Sequence, residues 1–403
     1  MLAAFRVRSY RFQWPGDLLT SWAFEMETLI LGWYVLVETG SVTLLAALGA
    51  LQYLGTFIAP LFGLAGDRIG RRSVLCVMRA TYATLAIAMM GFGLTGTLTP
   101  YHVFAVVFLM GLVRPSDLVM RNSLIGDTMP RHSLMNALGF SRATQDSAKI
   151  AGALAGAGLL SALGMGVTYI AIAGFYLASF AFTFGVSKTR PSQTPDGDPA
   201  THAAAPTPWR DLMNGLTYAW ETPNVRMVLW LAFLVNLTAV PLTTGLLPYV
   251  VKDIYLMDAN GLGRLVAVYA GGALTGSLLL AWSGGSRRPA MLMFICAAFW
   301  YALLLWFGQI NGPGPGAWAL AGIGFFHSAT MVTMGVALIG WTVPLFRGRV
   351  MGARSLAVMG VPIGLMASGP LIEVTNFQTT LYVYCAIGIT TITWLIVKTR
   401  NEI

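Results

Sequence analysis

The chain has 403 residues, 56% hydrophobic and 10% charged. A soluble globular domain carries about 25% charged residues, so this composition excludes a water-soluble fold and indicates an integral membrane protein. The net charge of +9 is scattered between apolar segments instead of forming one patch, so it reads as a topology signal and no nucleic-acid partner is expected. Cys76, Cys296 and Cys385 fall far apart inside apolar segments, without metal-like spacing, and read as inert buried thiols.

The first apolar segment, about 16–37, is too long for the core of a signal peptide and carries Glu25 and Glu27, so no cleavable leader is expected. Its polar start (Arg6, Arg8, Arg11) should stay in the cytoplasm. Two further segments, about 42–65 and 74–94, are each long enough to cross a bilayer, which takes about 20 helical residues. Between them lies Gly63-Leu-Ala-Gly-Asp67-Arg68-Ile-Gly70-Arg71-Arg72. Gly70 permits a tight reversal, the arginines mark one membrane face, and Asp67 offers them an anionic partner. The run resembles the signature G-x-x-x-D-[RK]-x-G-[RK]-[RK] of the major facilitator superfamily, a conformational gate motif joining the second and third transmembrane helices. Gly63, Asp67, Arg68, Gly70, Arg71 and Arg72 all match, while Ser73 stands where another basic residue is common.

Apolar segments follow at about 101–120, 137–160 and 166–186. A proline-rich polar stretch, 187–208, reads as a flexible linker. After it, Trp209, Leu212, Met213, Leu216, Ala219 and Trp220 recur at helical spacing, which predicts an amphipathic helix on the cytoplasmic surface. Six more segments run at about 227–250, 262–282, 290–309, 317–341, 353–372 and 380–397. Basic residues cluster in the termini and alternate loops, so both termini are expected in the cytoplasm; a bacterial-type inner membrane is the location expected alongside the resemblance. The expected fold is all-α: twelve transmembrane helices in two six-helix pseudo-symmetric halves, 1–187 and 225–403, joined by a linker with its surface helix, 188–224. That is the architecture the resemblance implies, with substrate held near the midplane.

Gly284-Gly-Ser-Arg287-Arg288 is a worn second copy of the loop motif without its acid. Arg347-Gly-Arg349-Val-Met-Gly352, Gly360-Val-Pro362-Ile-Gly364, Glu38-Thr-Gly-Ser41 and Lys149-Ile-Ala-Gly152-Ala-Leu-Ala-Gly156 look similar to the branch containing the enterobactin exporter and macrolide efflux pumps. Ala153 replaces the proline usual in the last of these. The resemblance implies a proton-coupled secondary exporter of a small amphiphilic compound, siderophore or drug-like, working as a monomer in the lipid bilayer. An uptake permease or a lysophospholipid transporter of the same fold is the alternative, and a non-transporting membrane receptor the alternative of another class. Gly91-Phe-Gly-Leu-Thr-Gly96 mimics a dinucleotide fingerprint but ends an apolar helix. With no H-E-x-x-H, metal cluster, nucleophile–base set or phosphate loop, no enzyme activity and no cofactor is expected; the energy source is a proton gradient.

An ionisable residue at membrane depth is a functional candidate by default. Asp17, Ser21, Glu25 and Thr28 form a polar stripe on the first helix. Glu27 lies about 200° around from Glu25, on another face, where a structural partner on a neighbouring helix is expected. The stripe favours Glu25 for proton coupling. Arg114, Asp117 and Arg121, and likewise Arg142, Asp146 and Lys149, form plus–minus–plus ladders at helical spacing. They fit either a self-neutralising network or a substrate or gating site. Pro115 suggests a kink beside Arg114. In the second half His327 and Asn236 are the main polar candidates for the cavity; His327 suits either hydrogen-bonded packing or proton coupling.

Overall fold

The computed structural model describes residues 5–187, 208–282, 288–343 and 346–399. Most of the linker, and the second loop motif up to Arg287, lie outside them. Helices α1 (Arg8–Thr39), α2 (Val42–Leu51), α3 (Ala59–Ile69), α4 (Arg71–Thr95), α5 (Pro100–Thr128) and α6 (Arg131–Phe184) come first. α7 (Pro208–Glu221) follows the linker, and α8 (Pro223–Thr238), the short α9 (Leu247–Tyr249), α10 (Ala259–Trp282), α11 (Pro289–Phe307), α12 (Pro313–Trp341), α13 (Arg347–Leu356), α14 (Gly360–Val374) and α15 (Phe377–Thr399) complete the chain. No strand occurs among the described residues.

Among the described residues nine helices are long and apolar enough to cross a membrane, ten if one bent pair counts as a single span, which is consistent with the expected twelve-helix fold; three departures from straight helices occur. α2 and α3 are separated by a break in the helix. The break contains Gly55, whose backbone lies against that of Gly111 and Leu112 so closely that a Cβ would collide with it, and α3 restarts on a proline, which needs no hydrogen-bond acceptor there. α6 combines the fifth and sixth segments, 131–163 and 165–184, which meet at Gly164 (φ 75°, ψ 178°), a conformation that disfavours any side chain. The seventh segment widens into π-turns at Pro241–Gly245 and Val250–Ile254. Here Leu246 N–H bonds to the Pro241 carbonyl at 3.1 Å and Tyr255 N–H to that of Val250 at 2.9 Å. Pro241 and Pro248 lack the donors of a regular helix, and the widened ladder accommodates them. α5 continues unbroken through Pro115.

Two compact units result: Met1–Tyr34 with Leu51–Pro208, and Val35–Ala50 with Trp209–Ile403. In the first, fully buried Tyr82, Tyr169 and Tyr176 gather against α1. In the second, α10 and α12 meet along a seam of small residues, where a Cβ on Gly324 would strike the Tyr269 carbonyl and one on Gly276 would strike Phe325. Lipid tails are as apolar as leucine, so close backbone approach of this kind is what holds membrane helices together. Val35–Ala50 belongs to the second unit because α2 lies on α14: Gly369 faces Thr43, and Glu373 accepts hydrogen bonds from Ser41 Oγ (2.9 Å) and Thr43 N–H (3.2 Å).

Candidate functional site

The charged loop is built as its sequence suggests. Gly70 adopts φ 88°, ψ 134° between α3 and α4, so the chain reverses in one residue. Arg71 reaches α5, pairing with Asp127 and donating to the Ser123 carbonyl at 3.2 Å; its other nitrogen meets Asp67 at 3.4 Å. Arg72 donates to the carbonyls of Thr183 (3.2 Å) and Phe184 (2.6 Å), neutralising the negative end of α6. Asp67 and Arg68 are exposed, and Gly63 has open space beside its Cα. An exposed pair such as Asp67–Arg71 is worth at most about 1 kcal/mol, so Asp67→Asn should leave expression and thermal unfolding unchanged while lowering transport severalfold. Normal flux in that variant would reduce the loop to a topology signal.

Deeper in the first unit lies a charge cluster that sequence reading only half located. Arg79, in the middle of α4 and fully buried, pairs with Asp17 of α1 and donates to the Ser179 carbonyl and the Thr183 hydroxyl of α6. Arg121 of α5 pairs with Asp117, lies 3.7 Å from Asp17, and donates to Ser21 Oγ at 2.8 Å and the Asp17 carbonyl at 3.1 Å. All four ionised side chains are buried, and their formal charges cancel. Arg79 was the missed member; a lone arginine inside an apolar run is the signal that marks it.

The ladder on α5 therefore has one ion-paired rung. Asp117 is taken by Arg121, and Arg114 instead donates to Thr28 Oγ1 (2.7 Å), Gln52 Oε1 (3.0 Å) and the Phe24 carbonyl (3.4 Å). Its guanidinium sits 4.5 Å above the Phe24 ring, a favourable cation–π geometry. Arg114 is partly exposed and forms no ion pair among the described residues. On α6, Arg142 and Asp146 pair at 3.3 Å, and Lys149 is exposed beyond them.

The two glutamates of α1 differ sharply. Glu27 is buried, and both carboxylate oxygens accept tyrosine hydroxyls, from Tyr169 at 3.0 Å and Tyr176 at 2.9 Å. Glu25 is partly exposed, with no hydrogen bond or ion pair among the described residues, and its Cβ rests on Gly152 of α6. The polar stripe of α1 thus divides: Asp17, Ser21 and Thr28 face the arginines, and Glu25 stands apart from them.

In the second unit the Tyr269 hydroxyl lies 2.5 Å from His327 Nδ1, and the Trp300 ring lies 4.6 Å from the imidazole. Three helices, α10, α11 and α12, thereby converge on one titratable ring. Asn236 donates to the Ala232 carbonyl of its own helix at 2.8 Å. No group of three or more potential metal ligands occurs among the described residues.

The family model of the Major Facilitator Superfamily matches residues 15–338. Among solved structures, an auto-inhibited POT family peptide transporter superposes with a TM-score of 0.75 at 13% identity, covering 98% of this chain and 97% of its own. A D-xylose–proton symporter gives 0.71 at 14% identity, with 96% of each chain covered. The nucleoside transporter NupG gives 0.71 at 13% identity, covering 96% of this chain and 98% of its own. At such identities the likeness speaks for the fold alone. No match was found among curated protein sequences. The family match over four-fifths of the chain, the loop built on Gly70 and the multi-pass helical fold lead to one conclusion: the chain belongs to the major facilitator superfamily and is a membrane transporter of small molecules, not an enzyme.

Proposed function

We propose that this transporter is a proton-coupled exporter of a small amphiphilic compound, siderophore or drug-like, acting as a monomer in a bacterial-type cytoplasmic membrane with both termini inside. Asp17, Arg79, Asp117 and Arg121 neutralise one another, while Arg114 and Glu25 stand partly exposed at membrane depth without ion pairs among the described residues. An unpaired cation there favours an anionic or zwitterionic substrate group. An unpaired carboxylate suits a proton that enters as substrate leaves, because protonation removes the penalty of enclosing a bare charge. Export, and the siderophore or drug class, rest on the motif resemblance of Glu38–Ser41, Lys149–Gly156 and Arg347–Gly352.

Inside-out vesicles with an imposed pH gradient provide the test. Export requires uncoupler-sensitive accumulation of a siderophore or drug probe in them; accumulation only in right-side-out vesicles would make the protein an uptake permease, and no flux in either would favour a receptor. Arg114→Gln should weaken binding of an anionic substrate about tenfold, the scale of one charge-assisted hydrogen bond. A neutral analogue should be affected little, and equal loss for both would assign Arg114 to structure.

A further inference from the structure

Along one edge α7 is anchored to α13 and the residues just before it. Gly215 lies against the Arg349 backbone, Tyr218 stacks on Phe346 with ring centres 4.5 Å apart, and the Val343 N–H donates to the Tyr218 hydroxyl at 3.4 Å. Along the other edge a groove of 260 Å³ opens between α7, α8 and α13. Leu229, Phe233, Leu356 and Ala357 line its apolar interior, and Trp220 and Trp230 also line it. Those two indoles are 63% and 47% exposed.

Among the described residues, Arg226 is the charged side chain that lines the groove. It donates to the Trp220 carbonyl at 2.9 Å, its guanidinium lies 5.9 Å from the Trp220 ring, and it makes no ion pair among the described residues. An apolar slot with one cation held by an interfacial tryptophan matches a molecule with a hydrocarbon tail and an anionic head. α8 and α13 belong to membrane segments, tryptophans concentrate at the membrane–water boundary, and an amphipathic helix such as α7 lies in that plane. The surrounding bilayer is therefore the source of the occupant.

We propose that this groove holds one anionic glycerophospholipid, its acyl chain against Leu229, Phe233 and Leu356 and its phosphate on Arg226. The site is separate from the transport reading and does not depend on it. Basic pockets beside membrane helices recognise lipid head groups in this way.

Native mass spectrometry of the full-length protein in detergent, with phosphatidylglycerol and phosphatidylcholine of identical chains, tests the assignment. The wild type should retain a single phosphatidylglycerol about tenfold better than phosphatidylcholine, the scale expected for one charged hydrogen-bond partner. Arg226→Gln should abolish that preference while still binding either lipid weakly. Ala357→Phe, which fills the groove, should lose both adducts; thermal unfolding checks that this variant folds, and Leu229→Phe is the alternative filler. Equal retention of the two lipids by the wild type would overturn the proposal, as would a preference untouched by Arg226→Gln. A dimer peak that disappears when the groove is filled would assign the face to a second copy, and the lipid site would be wrong.

Discussion

Arg79→Met should lower the unfolding temperature by roughly 10 °C, and adding Asp17→Leu should restore most of that loss. The cluster holds Asp17 and Asp117 against Arg79 and Arg121, all buried. Without Arg79, two carboxylates share one arginine; without Asp17, two arginines share one carboxylate. Either single change strands a charge away from water, which costs about 3–5 kcal/mol. Removing both leaves the Asp117–Arg121 pair intact and neutral, and replacing a buried pair by apolar groups of similar size is often harmless. A double-mutant cycle read by thermal unfolding in detergent measures the coupling. If the double variant is no more stable than the singles, the four groups do not form one neutral network. If stability returns but transport does not, the Arg79–Asp17 pair also takes part in the transport cycle.

Local features of this molecule were legible in the sequence, and long-range partnerships were not. The reversal at Gly70, the surface helix Pro208–Glu221 and the Arg142–Asp146 and Arg121–Asp117 pairs all depend on residues within a few positions of each other. Helical spacing also permits an Arg114–Asp117 rung, but spacing shows only which residues share a face. It does not show that Asp117 is already held by Arg121, or that Thr28 and Gln52 lie within reach of Arg114. Likewise the polar stripe on α1 is real as a helix face, yet Gly152 brings α6 against Glu25 and the neighbouring backbone of Trp22 and Met26, while Ser21 and Thr28 meet arginines of α5. The partners of Glu27 are 142 and 149 residues away, beyond any periodicity. Helix breaks were not legible either: Pro115 suggests a kink where α5 continues unbroken, and the π-turns at Pro241–Gly245 and Val250–Ile254 have no counterpart in the sequence reading.

Glu25→Gln should abolish accumulation driven by a pH gradient while preserving substrate binding and substrate exchange. A coupling carboxylate must gain and lose a proton within the transport cycle, so it has to reach water in at least one state and be free of a permanent counter-ion. Glu25 is partly exposed and meets both requirements among the described residues. Glutamine keeps its size and polarity but is permanently neutral, which corresponds to the protonated form. Conformational switching then proceeds with or without a proton, and the gradient no longer drives net movement. Exchange, which needs switching alone, survives. The matched control is Glu27→Gln. Both oxygens of Glu27 are engaged by Tyr169 and Tyr176 in a buried site, so the amide loses one good acceptor and should destabilise by about 1–2 kcal/mol with coupling intact. Measuring accumulation and counterflow in the same proteoliposomes distinguishes these outcomes. If Glu25→Gln still concentrates substrate against its gradient, Glu25 is not the coupling group, and Glu27, Asp146 and His327 are the next to replace. Loss of both accumulation and exchange would instead place Glu25 in substrate binding, as a direct competitor between proton and a cationic or neutral substrate.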